Sequence, residues 1–236
     1  MKVKTIYLII LTALLISFCI VMVSAFSNIT AHTSADIDCD KPTVIIDAGH
    51  GGEDGGAEVD GVLEKDINLS IAGKLADTLR LCGCQVKEIR DTDISVYDNN
   101  AQTIREKKVS DLQKRVEIVN ENENNILVSV HQNKFDNSTY SGTQVFYSVN
   151  NEKSTVLAEA VRSSVISLLQ NDNTRELKKA GSNIYLLDNA NVPAIIVECG
   201  FLSNNEERAK LLDGNYQSEM AYSIAMGVLE YINTTK

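Results

Sequence analysis

The stretch Thr43-Val44-Ile45-Ile46-Asp47, followed by the glycine-rich loop at residues 49–61, decides the fold. Its first four residues are all β-branched, which predicts a short, buried β-strand. The segment after the loop, Glu64–Leu81, carries an isoleucine or leucine at every fourth position and therefore predicts a helix with one apolar stripe. A strand, a loop and a helix in this order form the first unit of an α/β fold.

The rest of the chain repeats this alternation. Short apolar runs predict strands at residues 85–89, 126–130, 143–147 and 194–197. Apolar residues at helical spacing predict helices at residues 111–120, 154–169, 203–212 and 216–232. Residues 91–109 predict an irregular loop, and Ser203 with Glu206 predicts a capping box. Strands that alternate with helices indicate a sheet covered by helices on both faces.

The N-terminal residues 1–27 have the pattern of a signal peptide or a membrane anchor. Two lysines precede an apolar run at residues 6–26, and Val23-Ser24-Ala25 resembles a small-residue cleavage site. The run is long for a signal peptide and reaches the roughly 20 residues that span a bilayer. Both cleavage of this segment after Ala25 and its retention as a membrane anchor stay open. Either outcome places the rest of the chain outside the cytoplasm, secreted or anchored to the membrane.

Composition and motifs exclude several classes of function for the part behind this segment. Residues 28–41 are polar and predict a linker, and residues 42–236 predict a single folded domain. The formal net charge of −10 argues against a nucleic-acid partner, since phosphate contacts need clustered lysine and arginine. The glycine-rich loop lacks the GK[ST] ending of a phosphate-binding loop, and no GxSxG elbow of a serine hydrolase occurs.

Cysteine usage argues against a thiolate metal site. No CxxC pair occurs among the four cysteines behind the N-terminal segment, which are Cys39, Cys82, Cys84 and Cys199. Their disulfide status stays open. Cys199 follows Glu198 directly and suggests a cysteine nucleophile. Adjacent strand residues face opposite sides, however, so Cys199 is expected to pack away from any cleft that Glu198 faces.

Four polar residues lie where the predicted elements begin or end. His50 and His131 each follow a strand, Glu198 ends another, and Glu64 opens a helix. In open α/β sheets, sites form at the carboxyl ends of the strands, so these side chains could converge on one rim. Two imidazoles and one carboxylate would suit a catalytic zinc with an open position. From spacing alone, hydrogen-bonded structural histidines stay an alternative.

Four separated motifs carry a resemblance to a known family. They are Val44-Ile45-Ile46-Asp47-Ala48-Gly49-His50-Gly51-Gly52, then Glu64, then Ser129-Val130-His131-Gln132-Asn133, then the run from Pro193 to Asn204 that includes Val197-Glu198-Cys199-Gly200. In this order they resemble the zinc-dependent N-acetylmuramoyl-L-alanine amidases. The resemblance covers about residues 43–232. The chain is most similar to the small spore-cortex, germination-specific members.

The resemblance implies a fold, a cofactor and a reaction. The fold is a single mixed, mostly parallel sheet with helices on both faces. Zn²⁺ is bound by His50, Glu64 and His131, and Glu198 is the catalytic residue. The substrate is peptidoglycan, cleaved between the lactyl group of N-acetylmuramic acid and L-alanine. In the cortex branch, the exposed muramic acid becomes muramic-δ-lactam after a separate deacetylase acts.

Further residues are candidates for supporting roles. Asp47 or Asn133 could orient a metal ligand, although hydrogen bonding within the loop is an equal alternative. Gln132 stands where the family usually has a small or apolar residue, and it could contact substrate. Together with the four residues above, these three complete the predicted site.

Two arginines and two aromatic residues are candidates for structural or substrate-contacting roles. Arg90 and Arg115 are expected to form ion pairs at the surface, with Asp91, Asp93 or Glu117. Tyr140 could line a sugar groove, whereas Phe146 is expected to pack in the core.

Two other functions stay open at this point. The chain contains no repeat that could bind the cell wall separately. It could therefore be a scaffold with this fold that is inactive without a partner protein, which would load zinc or present substrate. Alternatively, a zinc peptidase would keep the metal and cleave another bond of the wall peptide.

Overall fold

The computed structural model describes residues 42–235, together with Ser17. The predicted signal or anchor segment at residues 1–27 lies outside the described residues apart from Ser17, and so does the predicted linker at residues 28–41. Within the described part, no helix is both long and apolar enough to cross a membrane.

Strands and helices alternate along the described chain. The strands are β1 (Thr43–Ala48), β2 (Glu58–Val59), β3 (Val62–Leu63), β4 (Gln85–Glu88), β5 (Asn125–Asn133), β6 (Gln144–Tyr147), β7 (Lys178–Lys179) and β8 (Ala194–Phe201). The helices are α1 (Glu64–Leu81), α2 (Ile104–Val119), α3 (Lys153–Leu168), α4 (Tyr185–Asn189), α5 (Asn205–Leu212) and α6 (Gly214–Thr234).

Six strands form one sheet in the order β4-β1-β5-β8-β6-β7, and β2 and β3 form a separate hairpin. The neighbours β4, β1, β5 and β8 are mutually parallel. Strand β6 runs antiparallel to β8, and β7 pairs parallel with β6. The predicted single mixed, mostly parallel sheet is therefore confirmed. Its parallel strands β1, β5 and β8 end at the same edge.

Alternate residues of the strands bury opposite faces of the sheet. Val44 and Ile46 of β1 belong to the larger core, which α1, α3 and α6 cover. Ile45, between them, belongs to a second core that includes residues of α2 and α4. Strands buried on both faces need continuous apolar runs, which is the pattern of the sequence around residue 45. Helices on both faces are thus confirmed.

Two helix starts differ from the sequence expectation, for a common reason. The loop predicted at residues 91–109 ends earlier, because α2 begins at Ile104 behind a capping box of Thr103 and Glu106. The Glu106 amide donates to Thr103 Oγ1 at 3.2 Å, and the Thr103 amide donates to Glu106 Oε2 at 2.8 Å. The capping box predicted at Ser203 was wrong, since Asn204 caps α5 instead. Short polar side chains compete for such positions, and only packing decides between them.

Two helical glycines provide a test of the packing between α3 and α6. A Cβ atom built on Gly227 would lie 2.4 Å from the Cα atom of Val161, whereas one built on Gly73 meets nothing within 4 Å. Gly227→Ala should therefore destabilise the fold by about 1–3 kcal/mol through overpacking. The control Gly73→Ala should stabilise it by up to about 1 kcal/mol through helix propensity. Urea unfolding of both variants measures this, and effects of equal sign would contradict close packing at Gly227.

Candidate metal centre

Three side chains converge at the carboxyl edge of the sheet. His50 lies in the loop after β1, Glu64 opens α1, and His131 lies near the end of β5. His50 Nε2 lies 3.2 Å from Glu64 Oε2, and His131 Nδ1 lies 2.9 Å from Glu64 Oε1. One ligand atom from each residue falls within 4.8 Å of the others. Two imidazole nitrogens and one carboxylate oxygen are the donor set of a catalytic zinc site, so these residues fit the metal that the resemblance implies.

The carboxylate of Glu64 is the centre of this group and is held from several sides. The Ala57 amide donates to Oε2 at 2.8 Å, and the Gln132 amide donates to Oε1 at 3.1 Å. Asn68 Nδ2 also donates to Oε1, at 3.2 Å. Burial alone would raise the pKa of Glu64, but hydrogen bonds from His131 and His50 outweigh it and hold the pKa far below its usual range. Glu64 therefore stays ionised, as a metal ligand must.

The ring of His50 is oriented by a carboxylate on its far side. His50 Nδ1 lies 2.8 Å from Asp54 Oδ2, which leaves Nε2 directed at Glu64. Burial lowers the pKa of His50, whereas Asp54 and Glu64 raise it to a net value of about 9. Carboxylates behind metal-ligating histidines fix the ring and increase its basicity. Sequence reasoning missed this role of Asp54, although its position four residues after His50 was a usable signal.

Glu198 lies next to the candidate metal ligands but is bonded differently. Parallel pairing of β8 with β5 places it opposite His131. Its Oε2 atom is buried and has no hydrogen-bond partner among the described residues. Burial raises the pKa of Glu198 to about 7, with Glu64 adding to the effect and His131 and His50 opposing it. A carboxyl group with such a pKa exchanges protons readily near neutral pH.

Glu198 also lines a cleft that exposes two of the three candidate metal ligands, His50 and His131. This cleft has a volume of about 420 Å³, and its lining includes Glu198, His50 and His131. Side chains of α2 and α4 form its wall, among them Leu112 and Tyr185. A substrate in the cleft would thus reach the metal ligands and the carboxyl group together.

Cys199 packs away from the cleft, as predicted. Its side chain is fully buried in the larger core, and its Sγ atom lies 3.7 Å from the carbonyl oxygen of Val197. Burial raises the pKa of the Cys199 thiol well above its ordinary value. A cysteine nucleophile is therefore excluded at this position. Of the other described cysteines, Cys82 is exposed and carries a free thiol.

The three supporting candidates have different surroundings. Asp47 is buried and accepts hydrogen bonds from Ser129 Oγ at 2.5 Å and from Arg115, so its bonds run to these residues rather than to a ligand. Gln132 is also buried, and its side chain bonds Asn68 behind Glu64, which places it away from a substrate. Asn133 accepts from the Leu202 amide through its backbone carbonyl at 2.8 Å. A role for the Asn133 side chain stays a prediction.

The expectation of surface ion pairs with Asp91, Asp93 or Glu117 was wrong for both arginines, although Arg115 forms buried ion pairs with Asp47 and, at 2.6 Å, with Asp111. Arg90 and Arg115 are only 2% and 3% exposed. Arg90 donates to the carbonyl oxygens of Ala48 and Gly49, and Arg115 donates to those of Ala48 and His50. Loop carbonyls buried against the sheet edge need donors, and these two side chains supply them. The sequence contains no local signal for such long-range contacts.

The aromatic candidates lie apart from each other. Phe146 packs against the second core, which confirms the expected packing role. Tyr140 is 47% exposed and stands with its ring centroid 5.5 Å from that of Phe135, which is also half exposed. Contact of Tyr140 with a sugar stays a prediction.

Two glycines with the same backbone conformation test how tightly the centre is built. Gly56 and Gly61 have φ angles of 69° and 79°. A Cβ atom on Gly56 would lie 2.6 Å from Glu64 Oε2 and 2.7 Å from His50 Cδ2, whereas one on Gly61 meets nothing within 4 Å. Alanine at either position costs about 1–2 kcal/mol of backbone strain. Only Gly56→Ala should also displace ligands.

We therefore expect Gly56→Ala to weaken zinc binding by about tenfold or more and Gly61→Ala to leave it unchanged. Chelator competition on the purified variants measures both affinities. Equal zinc affinity in the two variants would contradict the close packing of Gly56 against the ligands.

Comparison with known proteins gives a consistent match. The family model described as N-acetylmuramoyl-L-alanine amidase matches residues 44–230. The germination-specific N-acetylmuramoyl-L-alanine amidase of Bacillus subtilis is 32% identical over 206 residues, which cover 87% of this chain and 86% of that protein. The amidase LytC of the same organism is 28% identical over 191 residues, or 80% of this chain and 35% of LytC.

Solved structures show the same likeness. The CwlD amidase from Clostridioides difficile, in complex with the GerS lipoprotein, superposes with a TM-score of 0.78 at 38% identity and covers 82% of this chain and 100% of that one. An N-acetylmuramoyl-L-alanine amidase from Clostridium difficile 630 gives a TM-score of 0.72 at 31% identity, covering 84% of this chain and 100% of the other.

Proposed function

This chain belongs to the N-acetylmuramoyl-L-alanine amidase family, and we propose that it cleaves peptidoglycan with zinc held by His50, Glu64 and His131. The scissile bond joins the lactyl group of N-acetylmuramic acid to L-alanine. One observation carries the zinc proposal: the three side chains place one ligand atom each within 4.8 Å of the others. This cluster borders a cleft that also contains the proposed catalytic residue, Glu198.

The proposed mechanism assigns proton transfer to Glu198. Zinc, when bound, supplies a Lewis acid that polarises the scissile carbonyl and acidifies the attacking water. Glu198 takes the proton of that water as the new carbon–oxygen bond forms. It then returns the proton to the alanine nitrogen as the carbon–nitrogen bond breaks. A carboxyl group with a pKa of about 7 and an unbonded Oε2 suits both steps.

We further propose that the enzyme acts on spore cortex outside the cytoplasmic membrane. The germination-specific relative from Bacillus subtilis supports this setting. Residues 1–27 would direct export or anchor the chain. Removal of the stem peptide would leave muramic acid for a separate deacetylase, and muramic-δ-lactam would then form.

A partner protein is part of this proposal. The CwlD amidase of Clostridioides difficile has been solved in complex with the GerS lipoprotein, which supports a comparable protein for this chain. Such a partner would load zinc or present the insoluble substrate. The scaffold alternative requires the partner for any turnover at all, so the isolated chain distinguishes the two.

Mass spectrometry of the products tests the reaction. After incubation of the zinc-loaded chain with peptidoglycan, we expect peptides that begin with a free L-alanine and glycan with unsubstituted lactyl groups. His131→Ala, which removes one proposed ligand, should release neither. Peptides cut at another bond would instead indicate a peptidase. No release by a chain that holds stoichiometric zinc would indicate dependence on a partner.

A conservative variant tests the separation of metal binding from proton transfer. Glu198→Gln should lower kcat by about 10²–10⁴-fold, because the amide cannot exchange a proton. Bound zinc should stay near one per chain, since Glu198 is not a proposed ligand. Kinetics and metal analysis on the same preparation measure both quantities.

Glu207→Gln is the matched control for this experiment. Glu207 is another half-buried glutamate, and it accepts the backbone amides of Gly142 and Phe201. Its variant should lose stability but keep kcat within about threefold. Loss of zinc together with activity in Glu198→Gln would show that Glu198 serves the metal instead.

A further inference from the structure

The loop that carries His50 is held from outside by side chains. Each of the five consecutive backbone carbonyl oxygens of residues 48–52 accepts at least one side-chain hydrogen bond. The donors are Arg90 Nε (2.8 Å) and Arg115 Nη1 (3.0 Å) to Ala48, Arg90 Nη2 (3.0 Å) and Asn68 Nδ2 (3.1 Å) to Gly49, Arg115 Nη2 (2.8 Å) to His50, Ser95 Oγ (2.7 Å) to Gly51, and Lys65 Nζ (2.9 Å) to Gly52. Most protein carbonyls bond to backbone amides or to water, so this concentration of side-chain donors is unusual.

The backbone of this loop explains why donors are needed. His50 has a φ angle of 62°, and Gly51 and Gly52 follow with φ angles of 137° and 56°. A non-glycine residue in the left-handed region costs about 1–2 kcal/mol and persists only where its surroundings hold it. The turn also directs consecutive carbonyls away from a regular strand or helix. Without these donors, the buried carbonyls of Ala48 and Gly49 would lose their side-chain partners, whereas the carbonyl of Gly51 would keep the Asp54 amide at 3.1 Å.

The two arginines connect the loop to the elements that carry the other ligands. Arg90 Nη2 bonds both the carbonyl of Gly49, beside His50, and the carbonyl of Lys65, beside Glu64. Arg115 bonds the carbonyl of His50 and the carboxylate of Asp47.

From Asp47 the connection continues to β5. The carboxylate of Asp47 accepts from Ser129 Oγ, two residues before His131. Each proposed ligand is thus connected to a guanidinium group. His50 is bonded directly through its own carbonyl, Glu64 through the carbonyl of the next residue, and His131 through Ser129 and Asp47.

Only arginine can fill these positions. Its planar guanidinium presents five N–H donors in a fixed geometry, whereas a lysine presents one small ammonium head. Arg90 uses four separate carbonyl acceptors, those of Ala48, Gly49, Lys65 and Thr92. A buried cation bonded to neutral carbonyls is costly to desolvate.

We propose that Arg90 and Arg115 are positioning residues that hold the His50 loop in its metal-binding conformation and thereby set the zinc affinity of the site. This inference rests on the proposed function, because it takes zinc as the metal. Arg90 acts through backbone carbonyls, and Arg115 acts through backbone carbonyls and the carboxylate of Asp47. Neither bonds the side chain of a proposed metal ligand, although Arg115 also lines the cleft. Both share the carbonyl of Ala48, so their contributions are coupled.

The test compares Arg90→Lys, Arg115→Lys and the double variant with the wild-type chain. Zinc Kd, measured by chelator competition, should rise about 10–100-fold in each single variant. The Kd of the double variant should rise by less than the product of the two single increases, because both arginines donate to the carbonyl of Ala48. Excess zinc should restore most of kcat, which loss of a catalytic residue would not allow.

Asn125→Ala is the matched control for general destabilisation. Asn125 is buried, and its Nδ2 atom donates to the carbonyl of Val119 at 3.0 Å, at the opposite end of β5 from His131. This variant should lower the melting temperature and leave the zinc Kd unchanged. Lysine variants that lower the melting temperature equally, with a zinc Kd within twofold of wild type, would overturn the proposal.

A second readout does not depend on zinc. Amide hydrogen exchange of residues 48–56 in the metal-free protein should accelerate at least tenfold in the lysine variants, while exchange in the core of β5 stays unchanged. If the wild-type chain alone binds no zinc, either loading depends on the proposed partner or the proposed function fails, and this exchange alone decides whether the arginines hold the loop. Unchanged exchange would overturn that part as well.

Should the lysine variants fail to fold, Ser95→Ala keeps the proposal open to refutation. It removes one donor, that to the Gly51 carbonyl, and leaves both arginines in place. Zinc Kd should rise by about threefold, in line with the loss of one net hydrogen bond. An unchanged Kd in this folded variant would show that side-chain donors to the loop carbonyls do not set the zinc affinity, which would overturn the proposal.

Discussion

Parallel pairing of β5 with β8 is the constraint on which the site depends. The register places His131 opposite Glu198, and pairing of β5 with β1 on its other side brings the His50 loop to the same edge. A slip of one residue would turn every side chain of a strand to the other face. Burial on both faces prevents such a slip, because each alternate residue fills one of two apolar cores. The geometry of the site is therefore a consequence of core packing.

Much of this arrangement could be predicted from the sequence, because buried parallel strands and amphipathic helices have strong patterns. Site candidates could be found for the same reason, since His50 and Glu64 flank such elements, and His131 and Glu198 lie in the carboxyl halves of β5 and β8, beyond the apolar runs that predict these strands. The role of Arg115 could not be predicted, since this residue lies 65 positions from His50, whose carbonyl it bonds. The start of α2 at Ile104 was missed because its capping box lies in a polar stretch with weak periodicity.

The carboxyl groups of the site differ in the number of hydrogen-bond donors around them, and this difference fits the proposed mechanism. Glu64 and Asp54 are surrounded by donors and stay ionised, whereas Glu198 has a buried oxygen with no partner. Glu64 and Glu198, two carboxyl groups of one site, thus have pKa values pushed in opposite directions, which under the proposed mechanism separates a ligand from an acid–base group. Local rules of polar satisfaction are broken at Glu198 and nowhere else among these acids, as expected where function opposes stability.

The unpartnered Oε2 of Glu198 also bears on the design of inhibitors. A buried acceptor without a protein partner gains more from a new donor than one that is already bonded. A small molecule that pairs a metal-binding head with an N–H or O–H group directed at this atom would combine two anchors in one scaffold. A compound with the metal-binding head alone would leave that atom unsatisfied and would bind any enzyme with a similar metal. Selectivity would therefore reside in the second anchor.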